Sequence, residues 1–102
     1  MVDDDLERAT QILKAVAHPL RLRILSLLCS GEECVSAMAA RLGRKPTAIS
    51  QALAILRGGG LVAVTRRQGL ATYRLEERAL RELIPRVTAL GSQAAGRPRP
   101  PP

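Results

Sequence analysis

The chain has 102 residues, which is enough for one domain with a thin core, because a chain of this size buries only about two-thirds of the surface that it exposes when unfolded. Apolar residues make up 46% of it but only one residue, Tyr73, is aromatic, so the core depends on aliphatic side chains, which favour helices. The net charge is +7, and neither a secretory signal nor an apolar run of about 20 residues is present, so we expect a cytoplasmic protein that does not enter a membrane and keeps reduced thiols.

Two amphipathic helices are predicted first. Apolar residues recur at steps of three and four from Leu6 to Ala17, and three aspartates ahead of them favour a helix N-terminus. A second helix starts at Pro19, which suits a first helical turn, and ends before Gly31. His18 is the only histidine and lies in the break between the helices, where a linker or capping role is more frequent than a ligand role.

The next two helices form a tight pair. The stretch "ECVSAMAARLG" has apolar residues at i, i+3, i+4 and i+7 and closes on Gly43, and "PTAISQALAILR" then begins a fourth helix at Pro46. The fourth helix keeps polar and basic side chains on its outer face. Two short helices joined by such a turn are typical of a helix-turn-helix, whose second helix enters the major groove of DNA.

A β-hairpin follows the fourth helix. Three glycines, 58 to 60, end that helix, residues from Leu61 to Arg66 alternate as a strand does, Gln68 and Gly69 form a turn, and the strand pattern returns up to Leu75. The glycines do not form a phosphate-binding loop, since such a loop precedes a helix and carries a Lys-Ser/Thr pair. The hairpin is the wing of a winged helix-turn-helix.

Positive charge is concentrated in this part of the chain. No carboxylate occurs between Glu33 and Glu76, whereas seven cations do: Arg41, Arg44, Lys45, Arg57, Arg66, Arg67 and Arg74. This pattern indicates a surface for a polyanion such as double-stranded DNA, and a solubilising face is the alternative. The predicted DNA-binding residues are Arg44, Lys45, Thr47, Ser50, Gln51, Ala54, Arg57, Arg66 and Arg67, with the three uncharged polar ones at base edges.

A last helix is predicted from about Glu76 to Leu90, and Pro85 inside it is expected to kink or restart it. The predicted fold is therefore mainly α with a β-hairpin wing, with about five helices and two strands. We expect one DNA-binding and dimerisation domain over residues 1–92 and a disordered Pro/Arg-rich tail over residues 93–102.

Three stretches in this order resemble the ArsR/SmtB family of bacterial winged-helix repressors: "LKAVAHPLRLRIL", "AISQALAILRGGGLV" and "RRQGLATYRL". The resemblance implies a homodimer that is built on the first and last helices, binds an inverted-repeat operator and leaves it when a ligand or oxidant arrives. The thin core and the apolar stripes on both terminal helices favour a dimer as well. The predicted dimerisation residues are Leu6, Ile12, Leu13, Val16, Leu80, Leu83, Val87 and Leu90.

The two cysteines, Cys29 and Cys34, are the candidate sensor. They are either small core residues, a thiol switch that an oxidant or a persulfide closes, or two ligands of a soft metal. Arsenic-type members of the family use a run of cysteines where this chain has Cys34 and Ser36, and zinc-type members use histidines in a last helix that has none here. We therefore expect no metal and no cofactor, with the soft metal as the weaker alternative.

Two other classes of function compete with a repressor. A winged-helix module that binds proteins and no longer reads bases is favoured slightly by the short side chains of Ala52 and Ala54. An enzyme is disfavoured, because one histidine, two nearby cysteines and no paired carboxylates within the body of the fold supply neither a base-activated nucleophile nor a metal site.

Overall fold

The computed structural model describes residues 3–76 and 78–96. The elements follow the order predicted for a winged helix-turn-helix, with one additional short strand. In chain order they are α1 (Asp3–Val16), α2 (Pro19–Cys29), β1 (Glu33–Cys34), α3 (Val35–Leu42), α4 (Pro46–Gly58), β2 (Val62–Arg67), β3 (Leu70–Leu75) and α5 (Arg78–Gly96).

Local chemistry accounts for several helix ends. The Nδ1 atom of His18 accepts a hydrogen bond from the backbone N–H of Leu20 at 3.2 Å, which confirms the predicted capping role. Gly43 ends α3 with a φ of +62°, in the left-handed region that favours glycine. Pro46 lies in the first turn of α4, where a missing N–H costs nothing.

The wing belongs to a three-stranded antiparallel sheet in which β3 lies between β1 and β2. The hairpin register pairs Val62 with Leu75 and Arg67 with Leu70. The strand β1 was not predicted, because two residues are too few to show an alternating pattern. It pairs Glu33 with Tyr73 and Cys34 with Thr72, so the start of α3 is joined to the wing by the sheet.

The core is aliphatic, as predicted from the composition. Its fully buried side chains come from α2, α3, α4, α5 and the residue before β2, and they are Ile24, Leu25, Leu28, Met38, Ile49, Leu53, Leu56, Leu61 and Ile84. Because α4 contributes its inner face to this cluster, its opposite face is held outward at a fixed orientation.

The last helix differs from the prediction. It is continuous through Pro85 and extends to Gly96, beyond the expected domain end at residue 92. Leu80 and Ile84 lie in the core just before the proline, and this packing offsets the hydrogen bond that proline removes. The rest of the predicted tail, residues 97–102, lies outside the described residues. None of the described helices is long and apolar enough to cross a membrane.

Candidate nucleic-acid interface

The outer face of α4 carries the predicted base-reading residues. Thr47, Ser50, Gln51, Ala54 and Arg57 are all exposed. The inner face of the same helix buries Ile49, Ala52, Leu53 and Leu56, so the exposed residues cannot turn inward without breaking the core. The face that projects from the protein is therefore polar and basic in its first three turns.

Positive groups surround the start of α4. Arg44 and Lys45 are exposed in the turn before the helix, and Lys45 is the N-cap residue. Within the part of the chain that the structure describes, no side chain caps the first turn of α4, and no acidic residue lies in that turn, so the positive end of the helix dipole is not neutralised there. This combination attracts phosphate groups.

A cleft of about 420 Å³ separates α4 from the wing. Its lining includes Ser50, Ala54 and Arg57 from the exposed face of α4 and Tyr73 from β3. Tyr73 was not among the predicted site residues. The sequence signal that could have identified it is that it is the only aromatic residue of the chain. The cleft brings a phenol next to the base-reading face.

The tip of the wing is a tight turn with two basic residues on one side. Gln68 and Gly69 have φ values of +51° and +80°, as the two central residues of a type I′ turn require. Arg66 and Arg67 are exposed just before the turn. Leu70, which pairs with Arg67, is 55% exposed and was not predicted as part of the surface.

Two of the seven cations of the carboxylate-free segment have acidic partners at its ends. Arg41 lies 3.5 Å from the Glu33 carboxylate, and Arg74 lies 3.8 Å from the Glu76 carboxylate and donates to the Thr65 hydroxyl. Within residues 3–76 and 78–96, the other five have no carboxylate within ion-pair distance. These five are the cations that were predicted to bind DNA, and their charge is available to a polyanion.

The two cysteines have different surroundings. Cys34 is the N-cap residue of α3, and its Sγ lies 3.3 Å from the Ser36 hydroxyl. The hydrogen bond from Ser36, followed by that from the backbone N–H of Ala37, lowers the pKa of the Cys34 thiol, against smaller opposing effects of desolvation and of Glu33. Cys29 packs against the core, and burial raises its pKa even though Arg81 acts in the opposite direction. Both thiols are free.

Among the described residues, no group of three or more His, Cys, Asp and Glu side chains is placed to hold a metal ion.

Five of the eight predicted dimerisation residues fall into two groups, and the other three, Ile12, Leu83 and Val87, are half-buried, with Val87 lining a cleft between α5 and α2. Val16 and Leu80 are only 6% and 3% exposed, so they pack within the protomer and not across an interface, which corrects their assignment. Leu6, Leu13 and Leu90 are 52%, 57% and 65% exposed. Sequence periodicity cannot separate the two groups, because one apolar stripe serves the core and an outer surface alike.

An apolar groove of about 290 Å³ runs between α1 and α5 on this side of the molecule. Its lining includes Leu13 and the half-buried Ile12 and Leu83 of the predicted set. The exposed leucines and the groove form one apolar surface, which we call the α1/α5 face; its residues are Leu6, Ala9, Ile12, Leu13, Ala79, Leu83 and Leu90.

Comparisons with known proteins agree with this geometry. Residues 18–64 match the family model described as "Bacterial regulatory protein, arsR family". The biofilm growth-associated repressor of Agrobacterium fabrum is 36% identical over 82% of this chain and 74% of its own length. HlyU from Vibrio cholerae has 31% identity and a TM-score of 0.81 over 87% of this chain and 97% of its own.

A third relative is known as a dimer. The homodimeric winged helix-turn-helix DNA-binding domain Mb0332 of Mycobacterium bovis has a TM-score of 0.80 and 31% identity over 93% of this chain and 91% of its own. The order of the elements, the outward polar face of α4 and these likenesses lead to one assignment. The chain belongs to the arsR family and is a winged helix-turn-helix DNA-binding transcriptional regulator.

Proposed function

We propose that the protein is a cytoplasmic repressor that binds an inverted-repeat operator as a homodimer and leaves it when Cys34 and Cys29 are oxidised. The observation that carries the DNA-binding part is the polar outer face of α4, which the core holds outward. It lies between two groups of cations that have no carboxylate within ion-pair distance among the described residues. Footprinting of the purified protein on the DNA upstream of its own gene tests for an operator and supplies the site for the experiments below.

The proposed contacts divide by chemistry. Thr47, Ser50 and Gln51 carry hydrogen-bonding groups on the exposed face of α4, where a helix in the major groove meets base edges. Charged residues on either side of this face bind phosphates without reading sequence, and they are Arg44, Lys45, Arg57, Arg66 and Arg67. Ala54 faces the cleft beside Tyr73 and contributes only an apolar contact.

Gln51→Ala and Arg67→Ala are expected to have different effects on binding. Loss of the Gln51 amide should remove discrimination at one base pair in each half-site, worth about 1–3 kcal/mol. Loss of the Arg67 guanidinium should weaken binding to all sequences alike and reduce the slope of log affinity against log salt by about one per protomer. Gel shifts with the operator and single-base variants of it, between about 50 and 200 mM salt, measure both effects.

Arg86→Ala serves as the matched control, since it removes the same charge from an exposed position of α5. It should leave base discrimination unchanged and alter the salt slope less than Arg67→Ala does. Equal loss of specificity in the Gln51 and Arg67 variants would contradict the division into base-reading and phosphate-binding residues.

The proposed dimer uses the α1/α5 face. Its leucines Leu6, Leu13 and Leu90 remain more than half exposed to solvent in the described protomer, and a relative of the same fold is homodimeric. A second copy bound through this face and related by a two-fold axis would supply a second α4, and an inverted repeat offers one half-site to each of the two helices.

The proposed switch follows from the different surroundings of the two thiols, which lower the pKa of Cys34 and raise that of Cys29. The Cys34 thiolate, favoured by Ser36, attacks the O–O bond of a peroxide, so an S–O bond forms and hydroxide leaves. The Cys29 thiol then displaces that oxygen as water and an S–S bond forms. Two thiols are thereby oxidised and one peroxide is reduced to two water molecules. A polysulfide or persulfide supplies an S–S bond in place of the O–O bond.

The disulfide has a mechanical consequence for DNA binding. Cys34 is the N-cap residue of α3, which packs against α4, and it is paired in the sheet with Thr72 of the wing. A bond from Cys34 to the end of α2 therefore pulls on both DNA-binding elements. A shift of either element changes the distance between the two α4 helices of a dimer, and operator binding depends on that distance.

Peroxide or polysulfide should lower the operator affinity of the native protein and create a Cys29–Cys34 disulfide visible in mass spectra of the peptide. Cys34→Ser should not respond. Cys29→Ser should form a Cys34 adduct without the internal disulfide, and Ser36→Ala should react more slowly at neutral pH, because the pKa of Cys34 rises when the hydrogen bond is lost. If the double Cys→Ser protein responds as the native protein does, or neither responds, the cysteines are not the sensor.

A further inference from the structure

A second cleft lies beside α1, next to the α1/α5 face, with which it shares only Ile12 among the described residues. Its other lining residues have no role in the function proposed above. The cleft has a volume of about 500 Å³ and lies where α1, the start of α2 and the end of α4 meet. The α1 residues that line it include Arg8, Gln11, Ile12 and Ala15, which recur at i, i+3, i+4 and i+7 and so share one helix face. A cleft of this size accommodates a small organic molecule.

The charged groups of this cleft are all positive. Arg8, Lys14 and Arg21 line it, and none of the other described lining residues carries a carboxylate. Arg21 is held in place, since its Nε donates to the carbonyl oxygen of Ala15 at 2.6 Å and its Nη2 to that of Lys14 at 3.4 Å. The positive charge of Arg21 therefore offsets the negative end of the α1 dipole. Its Nη1 atom donates no hydrogen bond to the described residues and can donate to a ligand.

The remaining lining is apolar and open. Ile55 of α4 is 51% exposed, although it belongs neither to the core nor to the outer face that was predicted to read DNA. Beside it lie the half-buried Ile12 and Ala15, and the two glycines Gly58 and Gly59, which add no side chains. An exposed isoleucine next to three cations suits a molecule with an apolar body and an anionic group.

We propose that this cleft binds a small amphiphilic organic anion, such as a carboxylate on a hydrocarbon or aromatic body. The apolar body lies on Ile12, Ala15 and Ile55, and the anionic group is held by Arg8, Lys14 and Arg21. Water would otherwise surround Ile55, so its burial contributes to affinity, while the cations select against uncharged analogues.

The site deepens the proposed function, because it connects the two parts of the molecule that a regulator must coordinate. α1 carries the α1/α5 face, and Ile55, Gly58 and Gly59 belong to the last turn of α4 and the residue after it. A ligand held between them favours one position of α4 relative to α1. In the proposed dimer, that position sets the distance between the two α4 helices. This coupling rests on the proposed dimer, whereas binding to the cleft does not.

The binding test uses the purified full chain without DNA. Calorimetric titration with decanoate should show sub-millimolar binding that weakens with salt, and decan-1-ol should bind more weakly by about tenfold, because it lacks the charge. Lys14→Glu and Ile55→Glu should each weaken decanoate binding by about tenfold or more, since either change puts a carboxylate in the cleft. Arg86→Glu, an exposed charge reversal on α5, should change it by less than about twofold.

Three results would overturn the site. Decanoate that binds the native protein and both cleft variants alike is held elsewhere. If decanoate does not bind and Lys14→Glu weakens operator binding at all sequences, the cleft is a phosphate contact. If decanoate does not bind and Ile55→Glu lowers the mass in sedimentation, the cleft belongs to the interface between copies. Decanoate binding that leaves operator affinity unchanged would reject the coupling alone and leave the site intact.

Discussion

Leu13→Glu should convert the protein to monomers at micromolar concentration and abolish operator binding in gel shifts. Leu13 is 57% exposed in the protomer, so a glutamate there remains in water and the fold persists. In the proposed dimer the same carboxylate would be buried against the apolar α1/α5 face without a partner, which costs several kcal/mol. Loss of the dimer then removes one of two half-site contacts, and affinity falls steeply.

Sedimentation and circular dichroism together decide this prediction. Ala89→Glu is the control, since it adds the same charge to an exposed position of α5 outside the α1/α5 face. The control should remain dimeric and bind the operator. A native protein that sediments as a monomer at micromolar concentration, or a Leu13→Glu protein that remains a dimer, would show that another surface joins the protomers.

Leu56→Ala should lower the free energy of unfolding by about 2–5 kcal/mol, because it removes a buried side chain and leaves a cavity. Leu56 is fully buried on the inner face of α4, where the core holds the reading helix. Because the core is small and domains of this kind are only marginally stable, we expect this single change to remove much of the free energy of unfolding. Urea unfolding at one fixed protein concentration measures it, since the stability of a dimer depends on concentration.

Leu70→Ala is the matched control for stability. The same side chain is removed, but Leu70 is 55% exposed at the wing tip, so the change should be about 0.5 kcal/mol or less. Similar losses in both variants would indicate that the wing tip is packed in solution, for example against a second copy.

The outward face of α4 could be predicted from the sequence. Ile49, Leu53 and Leu56 recur at helical spacing, so their burial fixes the exposure of Ser50, Gln51 and Arg57 on the other side. Local signals also predicted the His18 cap and the turn at Gln68 and Gly69, because caps and tight turns depend on residues that are adjacent in the chain. The absence of carboxylates between Glu33 and Glu76 is likewise a property of the sequence alone.

Other features depend on contacts between residues that are distant in the chain, and only the tertiary structure decided them. Periodicity placed Val16 and Leu80 with Leu13 in one stripe, but packing buries the first two and leaves the third exposed. Pro85 was expected to interrupt α5, yet packing of the neighbouring Ile84 keeps the helix continuous. Likewise, the sheet pairing of Cys34 with Thr72 brings together segments 38 residues apart, and no local pattern specifies it.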